Sequence, residues 1–339
     1  MSTQQTNRSS ERGTALVAAL LLVALMAAVA VQLMDVTRFA AFRTAQIDQR
    51  AQALWTARGA RELAEAAFLN AGEPGRAVMR ADEAWLAGPV VFPLENGQVV
   101  GQVFDHNNCL NINALLRPEV SGEDRLGTEA AQLEVERLRQ GFLRLSAEIG
   151  VRPGEAESVL AQIIDWMDLD GSAEPGGAED RAYAAFTPPY RAANQRFVEL
   201  EELRALPVMT PELYARYQPF LCVLPIAEQP PLNINTVSLD RAVLLAVLLD
   251  EDLTPGDAET VLFRRPPAGY ESLEDVWADP LIAALELSDE AKMRLGLRSR
   301  WFEMEVSVRL ADTQFQLEQL AELRDSNDLR RRSQRFGAF

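Results

Sequence analysis

The stretch of this 339-residue chain best equipped for chemistry is Ile164-Asp165-Trp166-Met167-Asp168-Leu169-Asp170-Gly171, followed by Gly176-Gly177-Ala178-Glu179-Asp180-Arg181-Ala182-Tyr183. Hard divalent cations take several oxygen ligands, and a curling acidic loop can supply them. Counting Asp168 as position one, Asp170 falls at three, Ser172 at five and Glu179 at twelve, the oxygen-bearing positions of an EF-hand loop. The match is incomplete, because position six is Ala173 instead of glycine, although Gly171, Gly176 and Gly177 can let the chain turn. On these residues alone a solvated acidic loop is an equal alternative. Other chemistries have little material. His106 is the single histidine, which argues against a histidine-based triad or a histidine-ligated zinc site. Cys109 and Cys222 match no metal-ligand spacing and are either one disulfide or two buried thiols. A formal net charge of −17 repels phosphate backbones, so nucleic acid is disfavoured as a partner.

The elements that must carry this loop begin with a hydrophobic N-terminus. Thr14 to Met34 is 21 residues without a charge, enough for the roughly 30 Å of a bilayer core. Arg8 and Arg12 precede it and favour a cytoplasmic N-terminus with the body beyond the membrane. Three readings fit this segment: a plain anchor, a signal peptide cleaved after Ala28-Val29-Ala30, or a prepilin-type leader ending at Gly13. The sequence that follows favours the third. No turn signal interrupts the chain until Asn70-Ala71-Gly72-Glu73-Pro74, and the intervening Ala, Arg, Gln and Glu are good helix formers. One helix from about Leu16 to Leu69 would be about 80 Å long, half in lipid and half offering apolar residues to a head. In that head, Gln98–Phe104 and Trp301–Leu310 alternate as strands, with a weaker companion at Phe315 and Leu317. Residues 114–298 between them are mostly helical in pattern, so the fold class is α+β: a small antiparallel sheet with a large helical insertion. Leu110-Asn111-Ile112-Asn113 recurs as Leu232-Asn233-Ile234-Asn235, each time ahead of a helical segment, with the asparagines as candidate caps.

The leader, the long helix and the flanking strands resemble a pseudopilin. If Gly13 ends the leader, Thr14 becomes the first mature residue and Ala18 the fifth, where pilins and pseudopilins carry a glutamate. The K-type minor pseudopilins of type II secretion systems are the ones that lack it, so the departure sharpens the resemblance. Their most recognisable block is similar to W-x-D-x-D, G-A-E-D and Pro188 to Gln195 here, and surrounds a calcium-binding region in that family. The resemblance implies Asp168, Asp170 and Glu179 as ligands of a structural calcium ion, with Asp165, Asp180 and Asn194 as weaker candidates or caps. The second LNIN unit resembles a helix-hairpin-helix or SAM-like module, but its acidic Asp250–Asp257 connection opposes nucleic-acid binding.

The implied organisation is a leader over 1–13 and a transmembrane stretch over 14–34. A periplasmic helix with the first strands covers 35–113. The insertion then divides into a calcium-loop half (114–225) and a SAM-like half (226–298), followed by C-terminal strands over 299–323 and a solvated, partly disordered basic tail over 324–339. The resemblance further implies no enzyme but a single-pass inner-membrane protein, N-terminus cytoplasmic and body periplasmic, processed by prepilin peptidase. Its expected partners are the I and J minor pseudopilins, the major pseudopilin and the inner-membrane assembly platform, with secreted substrates or the secretin as further contacts at a fibre tip. The competing reading is a membrane-anchored periplasmic calcium-binding module unrelated to pili.

Overall fold

A computed structural model describes residues 8–71, 78–116, 125–249, 252–310, 313–324 and 328–337. The first element is a single helix, α1 (Arg8–Ala71), 64 residues and about 96 Å long. Its side chains are exposed from Thr14 to Asp48 and become buried only where the head begins, at Ala53, Ala57 and Phe68. Small residues at Ala53 and Ala57 let the helix approach the sheet closely, one turn apart on the same face. The Gly72-Glu73-Pro74 part of the expected stop signal and leader residues 1–7 lie outside the described residues.

Five antiparallel strands form the sheet in the order β1-β2-β7-β8-β9. They are β1 (Val90–Leu94), β2 (Gly97–Asp105), β7 (Trp301–Leu310), β8 (Thr313–Leu323) and β9 (Leu329–Gly337). The period-two alternation of β7 sends Phe302, Met304, Val306, Val308 and Leu310 into the core. There Val306 and Val308 meet Ala53 and Ala57, while Phe302 packs on Phe68 with ring centroids 4.7 Å apart. β9 corrects the expectation of a partly disordered basic tail, because 329–337 form a strand, although Arg330 to Ser333 on it are exposed. Leu317 pairs with Phe336 and Glu318 with Arg335 across the β8–β9 ladder. The arginines of β9 find carboxylates on other elements: Arg331 on Glu62 and Glu65 of α1, and Arg332 on Glu322. β1 is a second strand the alternation pattern does not announce, because Val90, Val91, Phe92 and Leu94 are all exposed.

Between β2 and β7 the chain builds a helical body. It comprises β3 (Leu110–Asn111), α2 (Arg125–Glu148), α3 (Pro153–Met167), α4 (Asp180–Tyr183), α5 (Pro211–Tyr217), β4 (Leu221–Cys222), β5 (Leu232–Asn233), α6 (Ala242–Leu249), α7 (Pro255–Arg264), the short α8 to α10 (Leu273–Trp277, Pro280–Ala283, Asp289–Lys292) and β6 (Leu295–Gly296). The LNIN echo is a structural repeat. β3 pairs in parallel with β4, and β5 with β6. Asn113 Oδ1 accepts from the Phe197 N–H (2.9 Å) while its Nδ2 donates to the Phe197 carbonyl (2.9 Å). Asn235 treats Tyr270 in the same way, at 2.8 and 2.9 Å. Each asparagine therefore satisfies both polar groups of a buried residue, which an isosteric leucine could not do. Cys109 and Cys222 are disulfide-bonded, with Cα atoms 5.7 Å apart, beside Trp301 at the junction of body and sheet.

Candidate metal centre

α3 opens with Pro153 in its first turn and buries Val159, Ile163, Trp166 and Met167. The helix ends as Asp168 caps it, its N–H donating to the Ile164 carbonyl. This fixes Asp165 inside the last turn, fully buried, and points the following loop back over it. Asp165 Oδ1 accepts from the Glu174 N–H (3.1 Å), which ties the middle of the loop to the helix. The return needs glycine. Gly176 takes φ 86°, and a Cβ on Gly177 would lie 1.9 Å from Asp165 Oδ2. Position six, Ala173, is not the tight point, so the turn differs from an EF-hand although ligand-bearing positions coincide. The chain then reaches Glu179, which precedes the short helix α4.

Carboxylate oxygens of Asp168, Asp170 and Glu179 all lie within 4.8 Å of one another. Four acceptor oxygens in this region are buried without a hydrogen-bond partner: Asp165 Oδ2, Asp168 Oδ1, Glu179 Oε1 and Asn194 Oδ1. Asn194 holds a left-handed backbone with φ 49°, a conformation asparagine tolerates better than most residues. Burial pushes the Asp168 carboxyl up to about 6, reinforced by Asp170, Asp165 and Glu174. Asp165 and Glu179 are also raised, in both cases first by burial and then by neighbouring carboxylates. Trp166 Nε1 and Tyr183 OH are buried without partners in the same region, yet neither donates to these oxygens, and a set of unpaired buried oxygens is costly in itself and is satisfied by a hard cation. The residues present therefore fit an oxygen-coordinated divalent ion.

The sequence ranks Asp165, Asp180 and Asn194 below Asp168, Asp170 and Glu179, yet Asp165 and Asn194 each present an orphaned buried oxygen. Asp180 behaves differently: exposed, it accepts from the Ala192 N–H (3.2 Å) and lies 3.8 Å from Arg191, so it braces the loop's return. Beneath the site Trp166 meets Tyr183 edge-on at 5.4 Å and stacks near Phe197 at 6.0 Å, an aromatic floor that excludes water on that side. At the other end of the molecule Gly13, Thr14 and Ala18 lie within α1, far in sequence from the loop.

Two models of the family described as Type II secretion system (T2SS), protein K, match residues 108–226 and 232–298. Type II secretion system protein K of Pectobacterium carotovorum subsp. carotovorum is 32% identical over 318 residues, covering 93% of this chain and 94% of that protein. The chain belongs to the type II secretion system protein K family. The protein K of Aeromonas hydrophila is 30% identical and covers 90% of this chain and 91% of its own length. Among solved structures, the crystal structure of the GspK-GspI-GspJ complex from the enterotoxigenic Escherichia coli type 2 secretion system superposes with a TM-score of 0.72. It shares 26% identity and covers 88% of this chain and all of the matched chain. As a protein K, the chain is a minor pseudopilin, a membrane-anchored periplasmic protein whose helix α1 is long and apolar enough to cross a bilayer. Membership sets aside the reading of an anchored module unrelated to pili.

Proposed function

We propose that this minor pseudopilin stands first in the periplasmic fibre, with I-type and J-type pseudopilins beneath it, and that a calcium ion orders its 168–194 loop. Ala18 carries the tip assignment. A carboxylate in hydrocarbon is costly, and at the fifth mature position it is useful only to a subunit that meets the terminal ammonium of an earlier one. The first subunit meets none, so alanine there costs it nothing. Prepilin peptidase would cleave between Gly13 and Thr14, leaving the N-terminus cytoplasmic and α1 intact as the stem. The helical body, set between β2 and β7, supplies the bulk that stops further addition above. The solved complex that this chain resembles contains K, I and J subunits, which supports the same companions here. The SAM-like half acts as a packing module, its helix α6 buried from Leu244 to Leu249 in a chain too acidic for nucleic acid.

Asp165, Asp168, Glu179 and Asn194 would hold the ion, with Asp170 reaching in from the exposed side. Calcium supplies no reaction; it neutralises clustered carboxylates and joins the end of α3 to the loop's two later segments. Labelling the head on isolated fibres tests the tip position: one label at one end is expected, and labels along the shaft would refute it. N-terminal sequencing should give Thr14. Calorimetric titration of the full chain in detergent should show calcium binding that Asp168→Asn and Glu179→Gln abolish. Undiminished binding in both variants would remove the site.

A further inference from the structure

The helical body is joined to the sheet by two chain crossings that lie side by side, Asp105 to Leu110 and Leu297 to Trp301. They are stitched together. His106 N–H donates to the Trp301 carbonyl (2.9 Å), and Asn107 Oδ1 accepts from the N–H groups of Arg300 and Trp301, each at 3.0 Å. Asp105, buried at the end of β2, accepts from Ser299 and Thr236, so one carboxylate grips both crossings and the second repeat. The disulfide sits at the same place. The segment ahead of β1 adds a strap at the second crossing, where Met79 N–H donates to the Leu297 carbonyl (2.7 Å) and Met79 Sδ lies 3.4 Å from the Ser299 N, while Ala81 N–H reaches the Ala268 carbonyl (3.1 Å). These attachments gather beside the two crossings, and a body so tethered has its hinge there.

Beyond the crossings a cleft of about 270 Å³ separates sheet from body, lined by Phe104, Glu303, Glu305 and Glu318 on one side and Glu199 and Tyr214 on the other. Arg335 crosses it. The residue sits on the rung Gln102–Glu305–Glu318–Arg335, four residues along β7 from Trp301. That is roughly 13 Å from the stitched end at 3.3 Å per residue. Its guanidinium pairs with Glu318 of the sheet and, through Nη1, with Glu201 (2.7 Å) of the 3-10 turn Leu200–Ala205 and with that turn's N-cap, Glu199 (3.3 Å). A planar fork with several donors is suited to hold carboxylates on both walls at once. The elements facing it add Glu303 paired with His106 (2.8 Å) and Glu305, which lies directly opposite Glu318. Without Arg335 this cleft holds a surplus of carboxylates on both walls, which repel across it.

We propose that the C-terminal strand β9 is a clasp, with Arg335 as its bolt, that holds the helical body shut against the sheet and so sets the body's angle to the stem. The strand that looks like a spare tail in the sequence is thereby the part that fixes the orientation of the subunit's largest surface. Releasing Arg335 lets the body swing about the two crossings without breaking either core.

The test is a distance measurement by pulsed electron resonance on the full chain in detergent, with spin labels at Ala66→Cys on α1 and Leu133→Cys on α2, both exposed. Two releasing variants are compared. Arg335→Gln removes the bolt. Glu199→Gln combined with Glu201→Gln frees the body while leaving Glu318 and the β8–β9 ladder untouched, at two side chains that are 44% and 43% exposed. The expected result is a second, longer distance population in each variant, with amide exchange in 329–337 unchanged for the Glu199→Gln/Glu201→Gln double variant. An unshifted distance in both variants would overturn the clasp. So would a shift confined to Arg335→Gln, because Arg335 would then only be securing its own strand.

Discussion

At the scale of single residues, burial decides which carboxylates matter. Asp165, Asp168 and Glu179 have oxygens without hydrogen-bond partners, whereas Asp180 is exposed and engaged with backbone. The sequence shows the acidic spacing but not this division, since which oxygens lose water depends on how α3 and the loop close. Gly177 tests the closure. Gly177→Ala would place a methyl 1.9 Å from Asp165 Oδ2, an overpacking that costs about 1–3 kcal/mol, and calcium titration should show weakened binding. Glu305 gives a second, pH-dependent prediction. Half-buried on β7, its carboxyl is pushed up to about 7 by burial and by Glu303 and Glu318, with His106 and Arg335 partly opposing them. The unfolded chain releases this proton near the ordinary value of 4.5 and the folded chain near 7, so stability present below 4.5 is lost as pH rises through about 7. Glu305→Gln should therefore raise the thermal midpoint at pH 8 and leave it nearly unchanged at pH 4. An equal gain at both pH values would contradict the assignment.

At the scale of elements, the strands divide by what holds them. β7 is legible because it alternates apolar and polar residues, one face being buried against α1. β9 is not, because Arg330, Arg331, Arg332 and Arg335 give it no apolar stripe. Its order comes from carboxylates that arrive from the neighbouring strand β8 and, from far away in sequence, from α1 and the helical body. Glu322, only 1% exposed, is met by Arg300, Arg324 and Arg332, and these guanidiniums hold it ionised against the cost of burial. The Cys109–Cys222 bond closes a loop of 113 residues that spans the acidic 165–180 segment. Chain-entropy arguments give such a closure about 4–5 kcal/mol. Replacing both cysteines by serine should lower the free energy of unfolding in urea by up to that amount, and a loss under 1 kcal/mol would place the stability elsewhere.

At the scale of the whole molecule, one helix serves two solvents. From Thr14 to Asp48 its side chains face outward, and from Ala53 to Phe68 the same helix supplies a wall of the core. Stem and head therefore share an unbroken hydrogen-bonded rod, and force or orientation passes between them without a flexible joint. In cells, protease added to the periplasmic side should degrade the body and spare the stem within the membrane. Recovery of an intact body after such treatment would reverse the proposed orientation.

What rests on local pattern is legible before any folding is considered. An uncharged run long enough for a bilayer, the helix formers after it, the alternation in Trp301–Leu310 and the acidic spacing from Asp168 to Glu179 are each properties of neighbouring residues. Tertiary structure alone decided what rests on encounters: the pairing of β9, the edge strand β1, the bond between Cys109 and Cys222 and the isolation of Asp165 from water. The physical reason is range. Periodicity and helix propensity act along one element, but an ion pair, a disulfide or a desolvated carboxylate exists only once separate segments have packed, whether nine residues apart as for Asp165 and Glu174 or 113 apart as for Cys109 and Cys222.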